Sequence, residues 1–261
     1  MSRIDETMAA LATKKRKALV AYLCMGDPSH EASIEHAVAC AKAGADVLEL
    51  GVPFSDPTAD GATIARASER ALRAGGGLAR AIDAARAIRA RTAVPLLLFG
   101  YYNPVFVRGE ARTVKDARDA GVDGLLVVDL PVDEAAPLRA LCKQNEMSLV
   151  PLLAPTSSAA RVEATARAVR EAPPGFVYYV SLTGVTGAAE APLAQAGARA
   201  AELRAALKAP VVVGFGIDSP EKARAAAKDA DGVVVGSALV RLVASGRDPS
   251  ELIGDLRRSI D

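Results

Sequence analysis

Eight short apolar runs punctuate this chain, their starts about 22 to 47 residues apart, and helical patterns fill the spaces between them. The runs are residues 18–23, 47–50, 94–99, 124–128, 148–153, 176–180, 210–213 and 232–235. Most carry valine or leucine at odd and even positions alike, the composition of a parallel strand covered on both faces. The intervening segments follow the other period: Ile34, Ala37, Val38 and Ala41 fall on one helical face. Helix starts are marked by Ser219-Pro220-Glu221 and Asp248-Pro249-Ser250-Glu251, and Gly75-Gly76-Gly77 breaks one helix from the next. Eight β–α units in 261 residues most simply close into a single-domain α/β protein spanning 1–261, a (β/α)8 TIM barrel. An open doubly wound sheet is the alternative, but no Gly-x-Gly-x-x-Gly follows the first run.

Composition supports a large core of small aliphatic side chains. Hydrophobic residues make up 51% of the chain and aromatics only 4%, which favours helices packed around a sheet over a β-sandwich. A formal net charge of +1 argues against nucleic acid as a partner, because polyanion binding needs a clustered basic surface. The one basic run, Lys14 to Lys17, reads as a solvated helix end. Three scattered cysteines, Cys24, Cys40 and Cys142, suit neither a disulfide framework nor a zinc site, so no metal is expected. The chain starts without a signal-peptide layout and has no apolar stretch near the ~20 residues of a membrane span, so a cytoplasmic protein with no membrane partner is expected.

In barrels of this kind functional groups sit at the strand C-termini and in the loops that follow. Here the unusual residues gather there. Glu49 ends the second run and leads into Gly51-Val52-Pro53-Phe54-Ser55-Asp56-Pro57-Thr58-Ala59-Asp60-Gly61. A carboxylate at a buried strand tip is costly unless it is paired, protonated or in use. A second one on the adjoining loop, Asp56 or Asp60, suits acid–base chemistry under a lid. Tyr101-Tyr102-Asn103 follows the third run, Asp129 the fourth and Gly184 to Gly187 the sixth.

The last two runs each end in glycine and pass quickly into a helix, through Gly214-Phe215-Gly216 and Gly236-Ser237. Backbone N–H groups and the helix dipole there can hold a phosphate without lysine or arginine. Loops after strands seven and eight are the usual phosphate site of the barrel class, whereas a lone Gly-x-Gly is weak because turns use glycine everywhere.

Taken in order, Met25-Gly26-Asp27-Pro28, Glu49 through Gly61, Tyr101-Tyr102-Asn103-Pro104, Asp129-Leu130-Pro131, Gly184 to Gly187, Gly214 to Asp218 and Gly236-Ser237-Ala238 resemble the tryptophan synthase α chains, over essentially the whole chain. The resemblance implies a (β/α)8 barrel with an additional N-terminal helix, and residues 3–13, with Ile4, Met8 and Leu11 on one face, suit that helix. It implies retro-aldol cleavage of indole-3-glycerol phosphate to indole and glyceraldehyde 3-phosphate. Glu49 would transfer protons at indole C3 and the side-chain hydroxyl, and Asp60 would accept from the indole N–H. Tyr22, Tyr101, Tyr178 and Phe215 match substrate-pocket aromatics, for which barrel core packing is the competing explanation. Thr186 matches a loop threonine that helps order Asp60. Gly187, Gly216, Gly236 and Ser237 match phosphate contacts. Pro53 and Asp56 match positions facing a β subunit, which implies an α2β2 heterotetramer with pyridoxal phosphate in the partner only. Ala62 and Ala65 depart from the proline and glutamine common in the family, which touches loop ordering and partner coupling. A free-standing lyase and a catalytically weak regulatory subunit are the alternatives.

Overall fold

The computed structural model describes residues 1–180, 191–214 and 216–261. Helix α1 (Arg3–Thr13) precedes β1 (Ala18–Cys24), α2 (His30–Lys42), β2 (Val47–Gly51), α3 (Ala62–Arg73) and α4 (Leu78–Arg89). Next come β3 (Leu96–Gly100), α5 (Tyr102–Arg108), α6 (Glu110–Asp119), β4 (Gly124–Val127), α7 (Ala136–Gln144), β5 (Ser148–Leu149) and β6 (Leu152–Leu153). The chain ends through α8 (Ala159–Glu171), β7 (Val177–Val180), α9 (Ala191–Leu207), β8 (Val211–Gly214), α10 (Pro220–Ala227), β9 (Gly232–Val235), α11 (Ser237–Ala244) and α12 (Ser250–Ile260).

Every strand pairing among these residues is parallel, in the order β5-β4-β3-β2-β1-β9-β8-β7-β6. The run expected as one strand over 148–153 is two short pieces separated by Val150 and Pro151. Proline has no N–H to offer the ladder, so the strand breaks there. The two pieces still close the sheet. Val150 N–H donates to the Leu125 carbonyl on one side, and the Pro151 carbonyl accepts from Tyr178 N–H on the other. The third strand also starts two residues later than its apolar run, at Leu96, after Pro95. The (β/α)8 barrel with an N-terminal helix is therefore the observed fold.

Alternation along each strand divides the core in two. Leu19, Leu48, Leu98 and Val213 face the surrounding helices, while Val20, Val47, Leu97 and Val212 fill the barrel. Helix α1 plugs the N-terminal end with Ile4, Met8 and Leu11, packed on that inner cluster. Gly124 and Gly175 make the plug fit. A Cβ on either would lie 2.8 Å and 2.3 Å, respectively, from Ile4 side-chain carbons. Polar anchors secure the plug: Ser2 and Ser148 hydroxyls are 2.7 Å apart, and Arg3 donates to Asp123 at 2.8 Å. With that end shut, a ligand enters the barrel at the other.

Candidate active site

The C-terminal mouth is built from inward positions of β1 and β2. Strand register puts Tyr22 beside Glu49, so both point into the barrel. Glu49 is only 1% exposed, and its Oε1 has no hydrogen-bond partner among the described residues. Burial alone pushes its carboxyl up to about 8, so it is mostly protonated near neutrality. An acid that can both give and take a proton near pH 7 is what general acid–base catalysis requires.

Asp60 lies half-buried at the end of the loop that joins β2 to α3. Desolvation raises its carboxyl to about 6, and the neighbouring Tyr101 hydroxyl pulls it partly back. Tyr101 also shapes the loop, because its hydroxyl accepts from Ala59 N–H at 3.1 Å and its ring stacks on Phe54 at 5.1 Å between centroids. Asp60 N–H donates to the Pro57 carbonyl and Thr58 N–H to the Asp56 carbonyl, two tight turns that present the aspartate to the mouth. Pro53 is buried under this loop, whereas Asp56 is exposed on its outer face.

Two tyrosines line the mouth against glycines. Tyr22 Oη lies where a side chain on Gly51 would be, 2.3 Å from a Cβ built there, and Tyr178 Oη stands 2.1 Å from one on Gly214. Phe99 meets the Tyr22 ring edge-on at 5.3 Å. These partners were not legible as such in the sequence. Their signal was a glycine two residues beyond each tyrosine's register partner, Gly51 after Glu49 and Gly214 after Val212, which only the register reveals.

Gly236 N-caps α11 without a side-chain cap, and Ser237 opens the helix, so the first-turn N–H groups face outward uncapped. Gly216, at φ +69°, follows β8 in a backbone conformation that L side chains rarely adopt. The structure thus brings Glu49, Asp60, Tyr22, Tyr101, Tyr178, Gly216, Gly236 and Ser237 to one end of the barrel. Thr186, Gly187 and Phe215 lie outside the described residues. A separate cavity of about 260 Å³ opens beside Pro151, outside this mouth, and its two arginines, Arg139 and Arg161, are paired with Glu171 and Asp133.

A parallel barrel with a buried glutamate and a loop aspartate at its C-terminal mouth, and an uncapped helix start after the last strand, has the layout of a TIM-barrel enzyme site. The sequence model of the tryptophan synthase alpha chain matches residues 8–257. The tryptophan synthase alpha chain of Geobacter sulfurreducens is 47% identical over 100% of this chain and 99% of its own length. Among solved structures, the tryptophan synthase subunit alpha of Legionella pneumophila superposes with a TM-score of 0.90 at 36% identity, covering 100% of this chain and 99% of that one. Tryptophan synthase of M. tuberculosis, in an aminoacrylate-bound form, gives 0.87 at 34% identity, covering 100% of both chains. The chain belongs to the tryptophan synthase alpha chain family.

Proposed function

We propose that Glu49 and Asp60 carry out in this barrel the lyase reaction of the tryptophan synthase alpha chains, retro-aldol cleavage of indole-3-glycerol phosphate. Glu49 gives its proton to indole C3, and the resulting carboxylate takes the proton of the hydroxyl on the adjoining side-chain carbon. The C–C bond then breaks, its electrons return to the ring as indole, and the hydroxyl-bearing carbon leaves as the aldehyde of glyceraldehyde 3-phosphate. The proton count closes with Glu49 protonated again. Asp60, ionised above about 6, accepts from the indole N–H and steadies positive charge on the ring. The phosphate tail rests on the N–H groups around Gly216, Gly236 and Ser237, with Gly187 completing that end; Tyr22, Tyr101, Tyr178 and Phe215 flank the ring, and Thr186 orders Asp60. Proton transfer needs no cofactor in this chain, and pyridoxal phosphate belongs to the β subunit.

The observation that carries this reading is the buried Glu49, whose Oε1 has no hydrogen-bond partner among the described residues and whose carboxyl burial pushes up to about 8. It also counts against a purely regulatory subunit, which has no use for such a costly group. A β-chain partner in an α2β2 assembly is supported by the outer face of the same end. Phe106 and Val107 are 66% and 76% exposed on α5, the helix that starts directly after Tyr101, whose hydroxyl anchors the loop carrying Pro53 and Asp56. Exposed apolar groups flanking a catalytic loop mark a surface that a partner covers. The test is glyceraldehyde 3-phosphate formation from indole-3-glycerol phosphate, with and without a cognate β chain. Turnover that rises with the β chain supports both readings; full turnover without it overturns the dependence on a partner, and none in either condition overturns the lyase.

A further inference from the structure

Helix α3 begins two residues after Asp60, and its seating on the barrel decides where that carboxylate stands. The seat is weak in apolar terms. The fully buried residues of α3 are Ala67, Ser68 and Ala71, small side chains that remove little area from water, and the half-buried Ile64 is the one larger apolar group of the helix packed with them. Gly61 caps it without a side-chain hydrogen bond, and Ala62 and Ala65 occupy its first turn. One directional contact stands out against this. Asp27, 4% exposed in the turn after β1, accepts two hydrogen bonds from Arg70 of α3, from Nε at 2.7 Å and Nη2 at 2.8 Å. A fork-to-fork pair fixes orientation as well as distance. Immediately beside it, Gly26 at φ +94° lets the turn lie on Ala71, where an added Cβ would stand 3.3 Å from that residue's methyl.

We propose that Asp27 and Arg70 form a positioning clamp that holds α3 against the β1 turn and so places Asp60 for the lyase reaction. Neither residue reaches the reacting atoms in this account. The pair acts through α3, a stiff rod whose Arg70 end is held and whose other end carries the catalytic loop. An alanine-faced helix slides or tilts on the barrel once the clamp is gone, and a misplacement of about 1 Å at a catalytic group can cost on the order of 100-fold in rate.

The inference rests on the lyase reading, and the experiment separates the two. Wild-type chain, Asp27→Asn, Arg70→Met, Arg70→Lys, Asp60→Asn and the Arg70→Met/Asp60→Asn double variant are assayed for kcat and KM with indole-3-glycerol phosphate. Arg70→Met and Asp27→Asn are expected to lower kcat about tenfold with KM changed less than about threefold, and Arg70→Lys to recover part of the loss. In the Asp60→Asn background, Arg70→Met should cost nothing further, because the group it positions is already gone. Arg70 is partly exposed, so its variants keep the test open should Asp27→Asn not fold. Wild-type kcat in Arg70→Met, or losses that multiply in the double variant, would overturn the clamp while leaving the lyase reading intact. An inactive wild-type chain would overturn both.

Discussion

The two ends of this barrel each bury a carboxylate almost completely, and they treat it in opposite ways. At the N-terminal end Asp123, 0% exposed, is paired with Arg3 at 2.8 Å and Arg89 at 2.6 Å, and it also accepts from Leu96 N–H. At the C-terminal end Glu49, 1% exposed, has no ion-pair partner among the described residues, and burial pushes its carboxyl up to about 8. The first end is sealed by α1 and spends its polar groups on holding the plug. The second keeps a buried acid with no ion-pair partner among the described residues, as active sites do when a pKa must lie near the working pH. Equal burial therefore signals nothing until the partners are known.

The sharpest way to break this contrast is Glu49→Gln. Turnover should fall by about 10²–10⁴-fold, read as glyceraldehyde 3-phosphate release, and wild-type turnover in this variant would refute the proton-transfer role. Stability should move the other way. Glu49 holds its proton to about 8 when folded, against 4.5 for an ordinary glutamate, so raising the pH between those values favours the unfolded chain. The stability present below pH 4.5 is lost as pH climbs to about 8. Urea unfolding at pH 9 should therefore show Glu49→Gln more stable than wild type by about 3–5 kcal/mol, and the gain should vanish near pH 4.

Asp123→Ala should do the opposite of Glu49→Gln, losing stability while keeping turnover. Removing one member of a buried ion pair costs about 3–5 kcal/mol, so urea midpoints should drop while the kcat of the folded fraction stays at the wild-type level. A rate loss as large as that of Glu49→Gln would mean that the plugged end is coupled to the chemistry. Gly51→Ala probes the mouth more gently. Its new Cβ would meet Tyr22 Oη, so the ring must turn, at about 1–3 kcal/mol of strain. The effect should appear as a raised KM, partly relieved by Tyr22→Phe, since the ring carbons at 2.6 and 2.7 Å remain in the way.

The smallest effect is in the pH profile. With Asp60 required ionised and Glu49 required protonated, kcat/KM should fall below about 6 and again above about 8. In Asp60→Asn the acid limb should disappear and the alkaline limb stay. An alkaline limb that also moved would show that the two carboxylates titrate as one unit.

Much of this was readable from residue order. Valine- and leucine-rich runs at β–α spacing pointed to parallel strands, because a strand covered on both faces cannot alternate. Glycine after the last two strands marked the end proposed to hold phosphate, and Glu49 stood out as an acid terminating an apolar run. Pro151 was a legible warning that the fifth strand would break, since proline cannot serve a ladder, yet the apolar run around it masked the break. The Asp27–Arg70 pair was not legible, although the Met25-Gly26-Asp27-Pro28 turn was conspicuous. Nothing in sequence places residues 43 positions apart within 2.7 Å.

Local chemistry determined the order of strands and helices, the family, and which two carboxylates deserved suspicion, because periodicity, turn residues and motifs act over a few positions. Tertiary structure alone decided that Asp123 is ion-paired while Glu49 finds no such partner among the described residues, that Gly51 and Gly214 make room for tyrosines, and that Arg70 of α3 pairs with Asp27. Those outcomes depend on the distances and dielectric surroundings that appear only once distant segments meet.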